Sequence, residues 1–415
     1  MTKETVLDSD TRLSRYAEVL VRIGLRVAPG DRLLIRSPLH AVGVVGHVVR
    51  HAYSMGAVNV DVLWSDSRVE HTRFVHGDVG AWSEMPYSTD VLNRAAARGD
   101  SVLTLRGDVP RPLGEAASGR MAAFESGFSA ATEDFVRGMF ALDFVWTVAA
   151  VPSIEWARTV FPDKSDTQAL EALWDVVLAA CRIDGDDPAA GWEGHLDHLD
   201  ARKAFLNQRH YTAIRYKGEG TDLTVGLHAQ HWWNHPGEGN GERRTVANIP
   251  TEEVSTTPDA RLAQGVVRST KPLVHGGRTI NGFSLRFENG TVVEAVAEDG
   301  QDELDRILDT DEGARRLGEV ALVPQSSAVS AQGIIWHETL FDENDAAHLA
   351  LGAGYPFGIR NGTSMTPGQL AEVGLNRSIN HIDFVVGSGD VEITGITAEG
   401  SKEPLIRNGE WAFDI

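Results

Sequence analysis

Over the first 150 residues, short apolar runs alternate with amphipathic stretches, and that rhythm leaves few folds open. Leu13, Tyr16, Leu20 and Ile23 recur at helical spacing within TRLSRYAEVLVRIGL, and PGDRLLIRSP then reads as a turn followed by a strand. A second helix is predicted from about Ala41 to Met55, closed by Gly56, with NVDVLW as the next strand. The pattern recurs in SVLTLRGD and in FVWTVAAVP, residues 144–152. Successive strands joined through helices pair in parallel, so this part is expected to be an α/β domain with a largely parallel sheet. No glycine-rich dinucleotide fingerprint joins any of these strands to its helix. The GEGNG run at 237–241 follows His235 and Pro236 and opens no helix, so it reads as a loop and not as a phosphate cradle.

From Trp156 to Arg202 the chain reads as helical and acidic, interrupted by DGDDP. Beyond about residue 208 the texture changes. YTAIRYKGEGTDLTVGL and SLRFENGTVVEAVAE alternate around Gly-containing turns and read as hairpins, and VEITGITAEG shows the same alternation. Helices are predicted again at DELDRILDTDEGARRL and at DENDAAHLALGAG. The expected architecture is therefore an amino-terminal α/β domain over 1–208 and a carboxy-terminal mixed α+β domain over 209–415, rich in antiparallel strands.

Bulk properties exclude several functions. With 42% apolar and 23% charged residues, the 415-residue chain has the composition of a soluble two-domain protein. A formal charge of −21 and a pI near 5.1 argue against nucleic acid or an anionic membrane as partner. No apolar run is long enough to span a bilayer, and MTKETVLDSD lacks the apolar region of a secretion signal. The single cysteine, Cys181, forms no internal disulfide and fits a reducing cytoplasm, where the protein is expected to reside.

The stretch NHIDFVVGSGD, residues 380–390, points to chemistry. Residues two apart on a strand share a face, so His381 and Asp383 project together while Ile382, Phe384 and Val386 form an apolar back. An imidazole and a carboxylate side by side on a rigid element suit two ligands of one metal. With 15 His and 59 acidic residues, composition alone supplies roughly two His-x-acid triplets. His195 with Asp197 and His198 with Asp200 are two others, but they lie in a predicted helix, where residues two apart diverge. His47 and His51 sit one helical turn apart without a zincin glutamate, and the HETLF stretch at His337 does not complete H-E-x-x-H.

Other acids and histidines are weaker signals when taken singly. Glu252 and Glu253 in NIPTEEVSTTP resemble a solvated loop, Glu319 in LGEVALVP resembles an exposed strand entrance, and His348 in the predicted helix DENDAAHLALG resembles a core histidine. Tyr355 follows that helix after Gly352 and Gly354.

In order along the chain, RYAEVLVRIGL, WARTVFPD, GTDLTVGL, NIPTEEV with TTPD, STKPL, TDEGARRLGEVALVP, TLFDEN with HLALG, HIDFVVGS and NGEWAFDI resemble the metallo-aminopeptidases of the aminopeptidase T, aminopeptidase S and PepS family, also called the thermophilic metalloprotease family. The resemblance implies metal ligands at Glu253, Glu319, His348, His381 and Asp383, with Tyr355 as a functional residue near the reacting carbonyl; on chemical grounds Tyr355 would donate to the developing oxyanion, and Glu252, beside a ligand, is the candidate for proton transfer. It also implies a homodimer acting on peptides with a free amino terminus. Two divalent ions, zinc, cobalt or manganese, would activate water against the amino-terminal peptide bond. Departures fall at Ser255, at Val385 and Val386, and at Trp336 and His337, and they bear on substrate preference, since no implied ligand is lost. Two other readings share these residues: a ring-cleaving non-haem iron dioxygenase on a related fold, and a hydrolase for a dedicated metabolite amide.

Overall fold

The computed structural model describes residues 9–83, 85–107, 115–237, 243–275 and 278–415. They form two compact units, one comprising the residues up to Gly194 with Pro236–Pro250, the other His195–His235 with Thr251–Ile415. The chain is thus not divided by a single cut near 208. The second unit begins inside a helix, and the short segment 236–250 returns to the first unit because Asn248–Ile249 adds a strand to its sheet. Most of the glycine run at 237–241 lies outside the described residues.

In the first unit, β1 (Arg32–Pro38), β2 (Asn59–Ser65), β3 (Ser101–Arg106), β4 (Trp146–Ala150) and β7 (Asn248–Ile249) form a wholly parallel sheet in the order β2-β1-β3-β4-β7. Leu33, Leu34 and Ile35 of β1 are all buried, which is why this strand reads as a continuous apolar run. α1 (Ser9–Val19) precedes β1, and the crossovers use α2 (Val42–Ser54), α3 (Ser67–His76), α4 (Tyr87–Arg98), α5 (Glu115–Ala131) and α6 (Glu133–Ala141). Leu34, Leu92, Val102, Phe135 and Phe144 form one of its cores. After β4 come α7 (Ile154–Val160), α8 (Asp166–Ala180) and α9 (Pro188–Arg209), the helical stretch expected from the sequence. Cys181, at the end of α8, is buried.

The second unit contains β5 (Ala213–Gly218), β6 (Thr221–Leu227), β8 (Val254–Thr256), β9 (Pro258–Arg268), β10 (Leu273–His275), β11 (Arg278–Ile280), β12 (Ser284–Glu288) and β13 (Thr291–Val296). After α10 (Gln301–Leu308) follow β14 (Leu317–Leu322), α11 (Thr339–Asp342), β15 (His348–Gly352), α12 (Pro367–Glu372), β16 (His381–Val385), β17 (Glu392–Ile396), β18 (Lys402–Arg407) and β19 (Glu410–Trp411). An eight-stranded antiparallel sheet runs β13-β12-β9-β6-β5-β17-β18-β19, and a four-stranded antiparallel sheet runs β16-β15-β14-β8. Both expected hairpins are present, as β5–β6 and β12–β13.

One predicted helix is cut short and another is absent: DELDRILDTDEGARRL is α-helical only to Leu308, with a 3₁₀ turn at Glu312–Arg315 before β14. DENDAAHLALGAG is not a helix: α11 stops at Asp342 and His348–Gly352 is a central strand between β14 and β16. All five residues of that strand are buried, and a short run apolar on both faces has no period that separates helix from strand. Asn344 helps to stop the helix, since its side-chain amide donates to the Leu340 carbonyl at 2.9 Å.

Candidate metal centre

The register of the four-stranded sheet gathers residues that are far apart in sequence. Directly paired residues in an antiparallel ladder share a face. Gly352 pairs with His381, Ala350 with both Asp383 and Glu319, and Ala321 with both His348 and Ser255. His381, Asp383, Glu319 and His348 therefore project from one face, and Ala350 at its centre leaves them room. The opposite face carries Phe384, whose ring lies 5.4 Å from that of Phe283 in an apolar core.

Glu319 joins this face through a bulge. Leu317 pairs with Leu351 but Glu319 pairs with Ala350, so Gly318 is an extra residue in β14. A Cβ at Gly318 would lie 2.2 Å from the Ala353 carbonyl oxygen, so the backbone can pass there only without a side chain. The acids are not solvated: Glu252, Glu253 and Glu319 are each at most 7% exposed, and His348 is 1% exposed. The solvated-loop and strand-entrance readings of these acids both fail, because the sheet folds them inward.

Donor atoms meet in two groups, Glu253 with Glu319 and His348, and Glu319 with His381 and Asp383; within each group they lie within 4.8 Å of one another. His348 Nε2 is 3.2 Å from Glu253 Oε2, and His381 Nε2 is 3.2 Å from both Glu319 Oε2 and Asp383 Oδ1. Glu319 belongs to both groups. The His381 ring is oriented by its Nδ1–H, which donates to the Ala353 carbonyl at 2.7 Å and leaves Nε2 facing the carboxylates. Asp383 Oδ1 is buried without a hydrogen bond despite its nearness to His381. A buried acceptor lacking a hydrogen-bonded partner and a nitrogen–oxygen donor set of this kind fit a divalent cation.

A further acid, Glu343, was not singled out from the sequence. Burial, and then Asp383, Glu253 and Glu319, push its carboxyl well above the ordinary carboxylate range. The signal that could have found it is its place in the TLFDEN block, five residues before His348. Glu252 belongs to neither donor group: its carboxylate lies 3.7 Å from His195 Nε2, and its backbone N–H donates to Asn344 Oδ1 at 2.7 Å. Tyr355 begins the turn after β15, with its ring centroid 4.4 Å from that of His381 and stacked on Phe357. Burial pushes its phenol above the ordinary value, His381 opposes that shift and Glu319 and Asp383 add to it, so it keeps its proton at neutral pH.

The profile of the family described as thermophilic metalloprotease (M29) matches residues 9–411. The chain belongs to this family. It is 40% identical over 404 residues to aminopeptidase AmpS of Bacillus subtilis, covering 97% of this chain and 98% of that one. It is 36% identical over 411 residues to aminopeptidase T of Thermus aquaticus, covering 97% and 98%. The solved structure of wild-type AmpT from Thermus thermophilus matches with a TM-score of 0.89 at 34% identity, covering 97% of this chain and 99% of that one. A 2,5-dihydroxypyridine dioxygenase from Pseudomonas putida KT2440 matches with a TM-score of 0.53 at 11% identity, covering 98% and 99%, a likeness of fold alone. As a member of the metalloprotease family the protein is a peptidase, a hydrolase of peptide bonds. Among the described residues of the metalloprotease, no helix is long and apolar enough to cross a membrane.

The electrostatics of the centre yield a testable pH dependence. Burial alone would lower the pKa of His348, but Glu253, with Asp383 and Glu319, outweighs it and holds the imidazole up at about 9. His381 is likewise held well above the ordinary range, its burial outweighed by the carboxylates of Asp383 and Glu319. In the metal-free protein at pH 7 His348 is therefore protonated, whereas a ligating imidazole must be neutral. Zinc binding at pH 7 is expected to release protons and to tighten as pH rises towards 9. Calorimetric titration in buffers of different ionisation enthalpy reads that release, and enthalpies independent of the buffer would contradict it.

Proposed function

We propose that the metalloprotease removes amino-terminal residues from peptides, using two divalent ions held by Glu253, Glu319, His348, His381 and Asp383. The observation that carries this reading is the presence of Glu319 in both donor groups, since a carboxylate has two oxygens and can serve two ions at once. When bound, such ions, for which zinc, cobalt and manganese suit the donor set, polarise a peptide carbonyl and lower the pKa of water. Three carboxylates and two imidazoles exceed the two histidines and one carboxylate of a non-haem iron oxygenase, which favours hydrolysis over ring cleavage.

The chain's own side chains supply the remaining steps. Tyr355, protonated at neutral pH, donates its O–H to the oxyanion that develops on the scissile carbonyl. Glu252, backed by His195, is the proton acceptor proposed for the attacking water. Relatives named as aminopeptidases support this substrate class. The proposal includes a homodimer in the cytoplasm, consistent with the single buried cysteine for the compartment.

Metal stoichiometry is the test. After chelation, activity on aminoacyl amides is expected to return only as the second equivalent of zinc or cobalt per chain is added. Full recovery at one equivalent would refute the dinuclear reading.

A further inference from the structure

The first unit contains a cavity that the peptidase reading does not use. Its volume is about 570 Å³, within the range of small-molecule sites. It opens at the carboxyl ends of the parallel strands, reaching Arg36 and Ser37 of β1, Leu63–Ser65 at the end of β2, and Thr104 and Leu105 of β3. In the order β2-β1-β3-β4-β7 the chain passes from β1 to β2 on one side and then to β3 on the other, so β1 and β3 flank the topological switch point. Open parallel sheets bind ligands in that crevice, because helices leaving in opposite directions part there.

The lining has a definite chemistry. Arg36, which pairs with Thr104 across β1 and β3, is partly buried at the strand ends. Among the described residues its guanidinium makes no side-chain hydrogen bond and no ion pair within 4 Å. Burial, and then the nearby Arg106, push it below its ordinary value, with Glu70 opposing from a distance. A partly buried guanidinium without an ion-pair partner keeps its N–H donors available to an anionic ligand. Phe124, Phe128 and Leu92 also line the cavity, with the Arg73 guanidinium 5.0 Å from the Phe124 ring centroid, and so do Trp64, Val69 and Tyr87, which are 38%, 58% and 89% exposed. Asp66, Glu70 and Arg73 also line the cavity, and Asp66 is paired with Arg68, so the two acids balance the two arginines of the lining and no surplus of positive charge is left for a doubly charged anion.

We propose that this cavity is a second ligand site, taking a singly charged carboxylate on an aromatic or branched apolar body, with Arg36 receiving the carboxylate and the aromatic walls receiving the body. A planar guanidinium matches a carboxylate in bidentate fashion, and the rings supply the apolar area. Free carboxylic acids and amino acids share this chemistry, and the assignment does not depend on the metal centre.

Calorimetry and thermal shift on the full-length protein test it with three probes, 3-phenylpropionate, phenylalanine and phenyl phosphate. One equivalent of 3-phenylpropionate or phenylalanine should bind and raise Tm in the unaltered protein and in His381→Ala alike. Preference for phenylalanine would identify amino acids as the source, and preference for 3-phenylpropionate the simple acids; either supports the site. In Arg36→Met binding should weaken by about tenfold or more, while Tm without ligand stays level or rises, because a partly buried charge without an ion-pair partner has been removed. Four results would overturn the proposal: no saturable binding of either carboxylate, binding untouched by Arg36→Met, tighter binding of phenyl phosphate, or a fall in the ligand-free Tm of Arg36→Met, which would make the guanidinium structural.

Discussion

Glu319→Gln should lower kcat for aminoacyl amides by about 10⁴-fold or more and reduce bound metal from two equivalents to below one. The substitution keeps the volume and planarity of the side chain, so the bulge at Gly318 and the pairing with Ala350 should survive. What it removes is the negative charge and the second strong oxygen donor at the one residue common to both donor groups. Glu253→Gln and His381→Ala each touch one group only, so each should retain about one equivalent of metal while losing activity. Elemental analysis beside steady-state kinetics distinguishes these patterns. If Glu319→Gln holds two equivalents of metal as tightly as the unaltered protein, Glu319 is not shared and the proposed arrangement is wrong.

Tyr355→Phe is expected to reduce kcat by roughly 100-fold or more with KM little changed and metal content unaltered. The ring packs against His381 and Phe357, and Phe preserves both contacts, so the change isolates one hydroxyl. That hydroxyl is protonated at neutral pH, since burial raises its pKa, which suits a hydrogen-bond donor and makes it a poor ligand beside carboxylates and imidazoles. An interaction made mainly in the transition state leaves ground-state binding almost intact, hence the effect on kcat. A variant with normal kcat, or one that is inactive because it has lost an ion, would remove Tyr355 from this role.

These two substitutions differ in how visible their targets are along the chain. Tyr355 and the pair His381 and Asp383 lie close together, and strand alternation alone places the pair on one face. Glu319 and Glu253 look like surface acids by local pattern, and only the resemblance to a metalloprotease family drew attention to them. Their burial comes from β8 and β14 joining the same sheet as β15 and β16, with pairings such as Leu322 with Val254 that no local period encodes. Glu343 escaped notice for the same reason, since its neighbours in space are carboxylates from other strands.

By itself the sequence determined the parallel sheet of the first unit, the two hairpins, the acidic surface charge and the shared face of His381 and Asp383, because period, turn chemistry and composition are local properties of a chain. Tertiary structure alone decided that His348 lies on a strand, that segment 236–250 joins the first unit, and that Gly318 bulges so that Glu319 turns towards both histidines. It alone opened the cavity beside Arg36. Each of these depends on which strands lie side by side and in what register, and register is fixed by burying one face of a whole sheet, not by the residues of any one strand.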